Sequence, residues 1–271
     1  MAIIGVSGKI GSGKDTVGSI IQYLIEYNIC KYMHPINEKD FNDYIKNNHK
    51  SNWKIVKFAD KIKNIVCLLI GCSIKQLEDR KFKEKKLEEE WWYWKLEREC
   101  GYSTMMLDYL NTSKEKLKNY KGLILVKTTP RLLLQLLGTE CGRNIIHPNI
   151  WCISLFSNYT AEINENFLNM SVNEAKEIKY PNWIITDVRF PNELKAIKDR
   201  DGIIIRVNRP ILNETAYNKA YRETHEHESE NSLDSATFDY VIDNNSDISS
   251  LIEKVREILV KENILKLLDN E

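Results

Sequence analysis

A glycine-rich segment near the N-terminus constrains the fold of this chain more than any other part of the sequence. It runs from Gly8 to Lys14 and has the pattern G-x-x-x-x-G-K. A short apolar run of β-branched character, Ile3 to Val6, precedes it. Apolar residues at helical spacing follow it: Val17, Ile20, Ile21, Leu24 and Ile25. The sequence therefore predicts a strand, a tight loop and a helix in direct succession.

The same segment has the composition of a phosphate-binding loop. Glycines allow backbone amides to turn toward a phosphate, the start of the next helix adds partial positive charge, and Lys14 can reach the terminal phosphates. We therefore predict that the loop binds ATP or GTP. A glycine-rich turn with a solvated lysine would leave its position between strand and helix unexplained. The predicted donor-binding residues are Gly8, Gly11, Ser12, Gly13, Lys14, Asp15 and Thr16.

The residue after Lys14 departs from the usual motif. Ser or Thr normally stands there as a Mg²⁺ ligand, whereas this chain has Asp15, followed by Thr16. A carboxylate can ligate Mg²⁺ directly or through water. An acidic residue is also favourable at a helix N-terminus. The sequence leaves both roles of Asp15 open, and also whether Asp15 or Thr16 serves the metal.

A second carboxylate, Asp187, ends the apolar run Trp183 to Thr186. An Asp at this place in a nucleotide-binding sheet holds Mg²⁺ or its water shell opposite the glycine loop. The predicted metal ligands are therefore Asp15 and Asp187. Arg189 lies two residues further on and is predicted to clamp phosphate oxygens.

A third polar group lies on the helix predicted after Thr129 and Pro130. Thr129 can cap the first free amides, and Pro130 is tolerated in the first turn. Arg131, Gln135 and Gly138 then fall on one face, with Gly138 expected at the helix end. Thr139, Glu140 and Arg143 extend this polar strip. The pattern fits a ligand-binding face or an ordinary solvated face equally well.

Alternating strands and helices predict an α/β fold with a doubly wound parallel sheet flanked by helices. A densely charged stretch, residues 74 to 99, contains Trp91 to Trp94 and is interpreted as a helical insertion. Its aromatic rings either stack on a base, pin the insertion onto the domain or form a partner surface. The other predicted strands are Lys54 to Phe58, Ile203 to Val207 and Phe238 to Ile242, and the other predicted helices are Ala59 to Ile70, ended by Gly71, and about Ile248 to Leu267. One domain, residues 1–271, is more economical than two.

Composition excludes several classes of protein. The chain has 39 Lys and Arg against 39 Asp and Glu, which argues against a dedicated nucleic-acid binder. The six cysteines have neither zinc-site nor redox spacing, and no apolar run approaches a membrane span. A soluble cytoplasmic protein is therefore expected. The run His225 to Glu228 is interpreted as a solvated loop, not as a metal cluster.

Several motifs together resemble the deoxynucleoside monophosphate kinases of large DNA phages and viruses. The most specific are LQLLGTE within Arg131 to Arg143 and DVRFPNE within Thr186 to Glu193. The others are GKDT ending at Thr16, Phe58-Ala59-Asp60 with Lys63, Glu78-Asp79-Arg80 with Lys83, Trp151, NRP from Asn208, HESE from His227, and FDYVIDNN from Phe238 to Asn245. The resemblance extends from residue 1 to about 260.

The resemblance implies a P-loop kinase fold with helical acceptor-binding and lid insertions. Such an enzyme, working in the host cytoplasm if the chain is viral, transfers the γ-phosphoryl group of ATP, with Mg²⁺, to a deoxynucleoside monophosphate. Residues of about 60–150 would contribute the acceptor region, and Lys14, Asp187, Arg189 and Arg131 would be catalytic. Arg209, Asn244 and Asn245 would also bind the donor, with the two asparagines near the adenine. Arg189 or Arg209 would neutralise charge between donor and acceptor. The implied acceptor-binding residues are Asp60, Lys63, Lys83, Arg131, Gln135, Gly138, Thr139, Arg143 and Trp151.

Two other functions are compatible with parts of the pattern. Phosphomevalonate kinase has a similar glycine loop, strand-end Asp and closing block, but the Arg131 to Arg143 segment fits it less well. Dephospho-coenzyme A kinase is further off because it keeps Ser or Thr at the position of Asp15. A nucleotide-binding regulator or assembly factor would need no acceptor-side arginines. The sequence does not decide between a monomer and a homodimer, or which base is preferred.

Overall fold

The chain divides into two units in the computed structural model, which describes residues 3–29, 37–47, 51–96, 123–161, 180–209 and 231–265. The first unit contains the described residues up to Phe58 and those from Trp151 onward. The second unit is Ala59–Ile150. That both belong to one kinase domain stays a prediction.

The elements follow the alternation expected from the sequence. The strands are β1 (Ile3–Ser7), β2 (Trp53–Val56), β3 (Tyr93–Leu96), β4 (Leu123–Val126), β5 (Asn182–Val188), β6 (Ile203–Asn208) and β7 (Tyr240–Asp243). The helices are α1 (Lys14–Ile29), α2 (Glu38–Lys46), α3 (Asp60–Ile70), α4 (Ile74–Glu78), α5 (Arg80–Glu84), α6 (Pro130–Gln135), α7 (Ile150–Phe156), α8 (Pro191–Lys198) and α9 (Ile248–Lys261). A 3₁₀ turn, Glu89–Trp91, precedes β3, and a π-helix, Leu136–Ile146, continues α6.

A parallel sheet with the order β2-β5-β1-β6-β7 forms the centre of the first unit. Every residue of β1 is buried, as expected for a strand covered on both faces. On one face of β1, Ile4 and Val6 pack into a core that also contains residues of α1 and α9. On the other face, a Cβ at Gly5 would lie 2.8 Å from Ile197 of α8. Since neighbouring side chains of a strand point to opposite faces, helices cover both faces of the sheet. The predicted α/β fold is confirmed.

The strand register brings the carboxyl ends of β2, β5 and β1 to one edge of the sheet. Val56 of β2 and Gly5 of β1 both pair with Ile185 of β5. The residues that follow β2 therefore run beside Thr186 and Asp187, while the glycine loop leaves β1 on the other side of β5. Ligands of open parallel sheets bind at this edge.

The second unit differs from the prediction around the tryptophans. Residues 74–99 were expected to be helical, but in the described part, residues 74–96, the only α-helices are α4 and α5, and β3 pairs antiparallel with β4. Aromatic residues such as Trp94 favour strands, and this preference outweighs the charged composition. The Trp92 ring lies under the Lys127 ammonium at 4.7 Å, and its indole nitrogen donates to the Leu87 carbonyl at 2.8 Å. These contacts bind Trp92 within the second unit.

The expected helix end at Gly138 is also wrong. Thr129 caps α6 as predicted, because its hydroxyl accepts from the Leu132 amide at 3.2 Å. The chain then continues through Gly138 as the π-helix to Ile146. Gly138 is buried beside Ile62 of α3, which a Cβ at this position would approach to 3.4 Å, the limit of ordinary van der Waals contact. The wider π turn also changes the spacing that placed Gly138 on the face of Arg131.

Replacing Val255 with alanine tests the core beneath the sheet. Val255 of α9 is fully buried, and its two lost methyl groups cost about 0.8 kcal/mol each, to which a cavity term is added. We expect the free energy of unfolding to fall by about 2–3 kcal/mol in urea titrations. Val241 is 58% exposed on β7, and its alanine variant should change the same quantity by less than about 0.5 kcal/mol. Equal losses in both variants would contradict the described core.

Candidate functional site

The glycine loop between β1 and α1 has the backbone that its sequence requires. Gly11 and Gly13 have φ angles of 78° and 97°, in the left-handed region that other residues adopt only with strain. A Cβ at Gly8 would lie 2.7 Å from the Val207 carbonyl oxygen. The Ser12 amide donates to the Lys9 carbonyl at 3.1 Å. The loop is thus a tight turn packed against the end of β6.

Two polar side chains of the loop are buried. Lys14 is 8% exposed, and its ammonium donates to the Lys9 carbonyl at 3.2 Å. The Ser12 hydroxyl is buried without a hydrogen-bond partner among the described residues. A buried polar atom in this position is costly unless a ligand satisfies it. Both groups therefore fit a loop that closes around phosphate oxygens. Thr16 is half-buried in the first turn of α1.

The end of β7 contacts the loop through Asn244. Its side-chain amide donates to the Ser12 carbonyl at 2.9 Å, and its backbone amide donates to Asn208 at 2.7 Å. Asn245 is exposed and accepts from Lys254 at 3.5 Å. The structure thus brings Asn244 to the loop, and its predicted place near the adenine stays a prediction.

A cleft of about 470 Å³ adjoins the loop on the side of β6. Arg209, one of the predicted donor-binding residues, is exposed and belongs to its wall. The cleft is lined by Lys9, Ile10, Gly11, Ser12, Arg206, Val207, Asn208 and Arg209. Three of these side chains are cationic, which suits a ligand that carries negative charge.

Asp187 and Asp15 are both held by residues that follow β2. Asp187 is 9% exposed, and its Oδ1 accepts from the Phe58 amide at 2.9 Å. It is the sixth residue of β5 and does not end the strand. The Oδ1 atom of Asp15 accepts from the Thr186 hydroxyl at 2.8 Å and lies 2.7 Å from the Lys57 ammonium.

These contacts set the charge state of Asp15. Partial desolvation raises the pKa of its carboxyl, but the hydrogen bond and charge of Lys57, the Thr186 hydroxyl and the Lys14 charge together lower it. The pKa of Asp15 therefore lies below its usual value, and the carboxylate is ionised at neutral pH.

Arg206 and Asp234 form a link to the loop that the sequence did not reveal. Arg206 donates to the Ser7 hydroxyl and to Asp234 Oδ1, each at 3.1 Å. The second oxygen of Asp234 lies 3.3 Å from the Lys9 ammonium. The residues on both sides of Gly8 are thus linked to Asp234, Lys9 directly and Ser7 through Arg206. Nothing in the sequence pattern signals this pairing, because Arg206 and Asp234 lie on separate elements.

Arg189 follows β5 as predicted and is half-buried. Its backbone amide donates at 2.7 Å to Glu193, which is itself buried at the start of α8. This contact fixes the backbone beside the sheet edge. The predicted role of the Arg189 guanidinium on phosphate oxygens stays a prediction.

The implied acceptor residues lie in the second unit, with the exception of Trp151. Lys63 donates to Glu78 at 3.1 Å and lies 3.9 Å from Asp60, and Arg131 forms an ion pair with Glu84. Carboxylates already accompany these cations, so an acceptor phosphate would replace existing ion pairs. Half-buried positions are Asp60, Lys63, Lys83, Arg131, Gln135 and Arg143.

The remaining acceptor candidates, Gly138, Thr139 and Trp151, are buried. Gly138 and Thr139 lie inside the π-helix, and the Arg143 guanidinium donates to the Pro148 carbonyl at 3.5 Å. A π-helix often marks a functional position because its wider turn redirects side chains. Trp151 is 5% exposed and belongs to the first unit. The runs His225 to Glu228 and HESE lie outside the described residues.

Comparison with known proteins identifies the family of the chain. Residues 2–255 match the family model for deoxynucleotide monophosphate kinase. The chain is 25% identical over 227 residues to the deoxynucleoside-5′-monophosphate kinase of Escherichia phage T5, a match that covers 76% of this chain and 77% of that protein. Neither comparison favours phosphomevalonate kinase or a nucleotide-binding regulator. The chain belongs to the deoxynucleotide monophosphate kinase family.

Proposed function

We propose that this kinase binds ATP at the glycine loop and that the arginine-bearing helix of the second unit binds the acceptor. The reaction moves the γ-phosphoryl group to the 5′-phosphate of a deoxynucleoside monophosphate and yields a deoxynucleoside diphosphate and ADP. The observation that carries the donor assignment is the loop itself. Two left-handed glycines, the buried Lys14 ammonium and the buried Ser12 hydroxyl converge on one turn.

The chemistry requires positioning and charge neutralisation more than proton transfer. Phosphoryl transfer passes through a loose transition state, so the protein acts mainly by aligning two anionic groups and stabilising their charge. Loop amides and Lys14 would bind the donor phosphates. The local positive charge is supplied by individual side chains, since the chain as a whole is neutral.

The residues at the sheet edge fit a Mg²⁺ ion that arrives with the triphosphate. No group of three or more His, Cys, Asp or Glu within the described ranges has a metal-binding arrangement. Mg²⁺ usually takes one or two protein oxygens together with phosphate oxygens and water. Asp187, buried at this edge, suits that role, and the Thr16 hydroxyl is a second candidate. When bound, the ion would neutralise charge on the transferred group.

Asp15 fits the metal role less well than Asp187. Its Oδ1 atom already accepts from Thr186 and pairs with Lys57. The metal assignment therefore rests on Asp187.

Arg131 is proposed to bind the acceptor phosphate. Changing it to alanine should raise KM for the deoxynucleoside monophosphate by about 10- to 100-fold, the equivalent of a hydrogen bond to a charged group. KM for ATP should change by less than about twofold, since Arg131 is not proposed to contact the donor. Steady-state kinetics with each substrate varied in turn measures both constants.

Arg256 provides the matched control for this experiment. It forms an exposed ion pair with Glu253 at 3.3 Å on α9. Its alanine variant should leave both Michaelis constants unchanged. Equal increases in both constants for the Arg131 variant would show that the acceptor site has been misplaced.

A coupled ADP-release assay tests the overall function. ATP would be offered with each deoxynucleoside monophosphate, each ribonucleoside monophosphate and phosphomevalonate. We expect turnover with at least one deoxynucleoside monophosphate and none with phosphomevalonate. ATP binding without turnover of any monophosphate would contradict the proposed acceptor function.

The setting and partners are part of the same proposal. Nucleotides are its substrates, and the balanced charge supports the absence of a nucleic-acid partner. Among the described residues, Cys67, Cys72, Cys141 and Cys152 form no disulfide, which is compatible with a reducing cytoplasm, that of the host if the chain is viral. No described helix has the length and apolar character needed to cross a membrane.

A further inference from the structure

The acid at position 15 creates an electrostatic problem in a loop that binds anions. Position 15 normally carries a neutral hydroxyl, whereas Asp15 is a carboxylate next to Lys14. The negative charge of Asp15 repels the polyphosphate of a nucleotide. It also attracts Lys14, the lysine that should bind this polyphosphate. The charge of Lys14 does act on Asp15 in the structure. The chain therefore needs a cation that neutralises Asp15.

Lys57 meets this requirement by its position. Its ammonium lies 2.7 Å from Asp15 Oδ1, and its side chain is 24% exposed. The Thr186 hydroxyl donates to the same oxygen at 2.8 Å. The Asp15 carboxylate, at the start of α1, thus contacts the residue that follows β2 and a residue of β5.

The register of the sheet explains why Lys57 has this contact. Val56 pairs with Ile185, so Lys57 follows beside Thr186 and Phe58 follows beside Asp187. The Phe58 amide accordingly donates to Asp187 at 2.9 Å. Two consecutive residues after β2 therefore hold the two carboxylates of the donor site, one through an ion pair and the other through a backbone amide.

We infer that Lys57 is a positioning residue for phosphoryl transfer, which neutralises Asp15 so that Lys14 and the loop amides stay available to the polyphosphate of ATP. Asp15 then serves as the anchor of Lys57 and not as a metal ligand. This inference rests on the proposed ATP site. It predicts that Lys57 is needed only while residue 15 is acidic.

A double-mutant cycle tests this dependence. The variants are Lys57→Met, Asp15→Ser and the double variant, and ATP binding is measured by calorimetry, once with Mg²⁺ and once with EDTA. Lys57→Met should weaken ATP binding about tenfold, because the Asp15 carboxylate, whose side chain is 66% exposed, is then left unneutralised beside the polyphosphate. The double variant should recover ATP affinity to within about threefold of the original, a non-additivity that measures the coupling.

Further measurements separate this role from a purely structural one. Lys57→Arg should retain most of the ATP affinity, since it keeps the charge. In kinetics, Lys57→Met should raise KM for ATP far more than KM for the acceptor. Melting temperatures of all variants establish that each one is folded. If the double variant recovers ATP affinity in EDTA as well as with Mg²⁺, the pair of Lys57 and Asp15 acts by charge and not through the metal.

A second ion pair of the first unit provides the control cycle. Lys195 of α8 and Asp199, the residue after α8, approach to 2.7 Å at an exposed position. Lys195→Met, Asp199→Ser and their double variant should leave ATP affinity unchanged.

The inference is overturned if Lys57→Met binds ATP normally, or if the double variant is as weak as Lys57→Met. Failure of the donor site itself is distinguishable, because Lys14→Ala would then also bind and turn over ATP normally.

Discussion

Replacing Lys14 with alanine is expected to lower kcat/KM by about 10³-fold, because a cation that neutralises transition-state charge in a water-poor site is worth several kcal/mol. The Lys14 ammonium is 8% exposed and has the Lys9 carbonyl as a partner. In the reaction it would exchange that partner for donor phosphate oxygens. The variant should stay folded, since Lys14 lies in the binding loop and is not part of the apolar core of the first unit. ADP release and the melting temperature measure the two effects.

Lys46 supplies the control for the loss of a lysine. It lies on α2 with a side chain 75% exposed. Its alanine variant should keep full activity and stability. A Lys14 variant with unchanged kcat/KM would remove the donor assignment, whatever the acceptor experiments show.

The donor loop could be predicted from sequence because its function is encoded locally. Gly8, Gly13 and Lys14 lie within seven consecutive positions, and the strand before them and the helix after them are recognisable by periodicity. The Thr129 cap and the Gly71 helix end were predicted for the same reason. Each depends on the backbone of a few neighbouring residues.

The contacts of Asp15 could not be predicted, because they depend on strand order. Thr186 is 171 positions from Asp15 in sequence. The two residues meet only because β5 lies between β1 and β2, and because Val56 pairs with Ile185. A shift of the pairing between β2 and β5 by one residue would turn Lys57 to the opposite face of the sheet. Spacing along the chain carries no information about this register.

Two local predictions failed for a different reason. Gly138 is a residue type that often ends helices, but here it is buried within the π-helix, with Ile62 of α3 packed beside it. The strand β3 lies in a charged segment, but its aromatic residues find a partner strand in Leu123–Val126. In both places a tertiary contact selects one of two conformations that the sequence permits.

Replacing Asp187 with asparagine should lower kcat by about 10²–10³-fold while leaving the fold intact. Asparagine has the shape of aspartate, and its side-chain oxygen can still accept from the Phe58 amide that donates to Asp187 at 2.9 Å. What it lacks is the negative charge that suits Mg²⁺. Kinetics at increasing Mg²⁺ concentration should show that the variant needs more metal to reach half of its own maximal rate.

The alanine variant separates the two roles of Asp187. Asp187→Ala removes the charge and also leaves the buried Phe58 amide without its acceptor, which costs about 1–3 kcal/mol of stability. Asp187→Asn should therefore lose activity alone, whereas Asp187→Ala should lose activity and melt at a lower temperature. If asparagine retained the original rate and metal dependence, Asp187 would be a structural acceptor for β2, and the metal would have to be held by Thr16 or Asp15. A loss of stability in both variants would indicate instead that the carboxylate charge is needed for folding at this sheet edge.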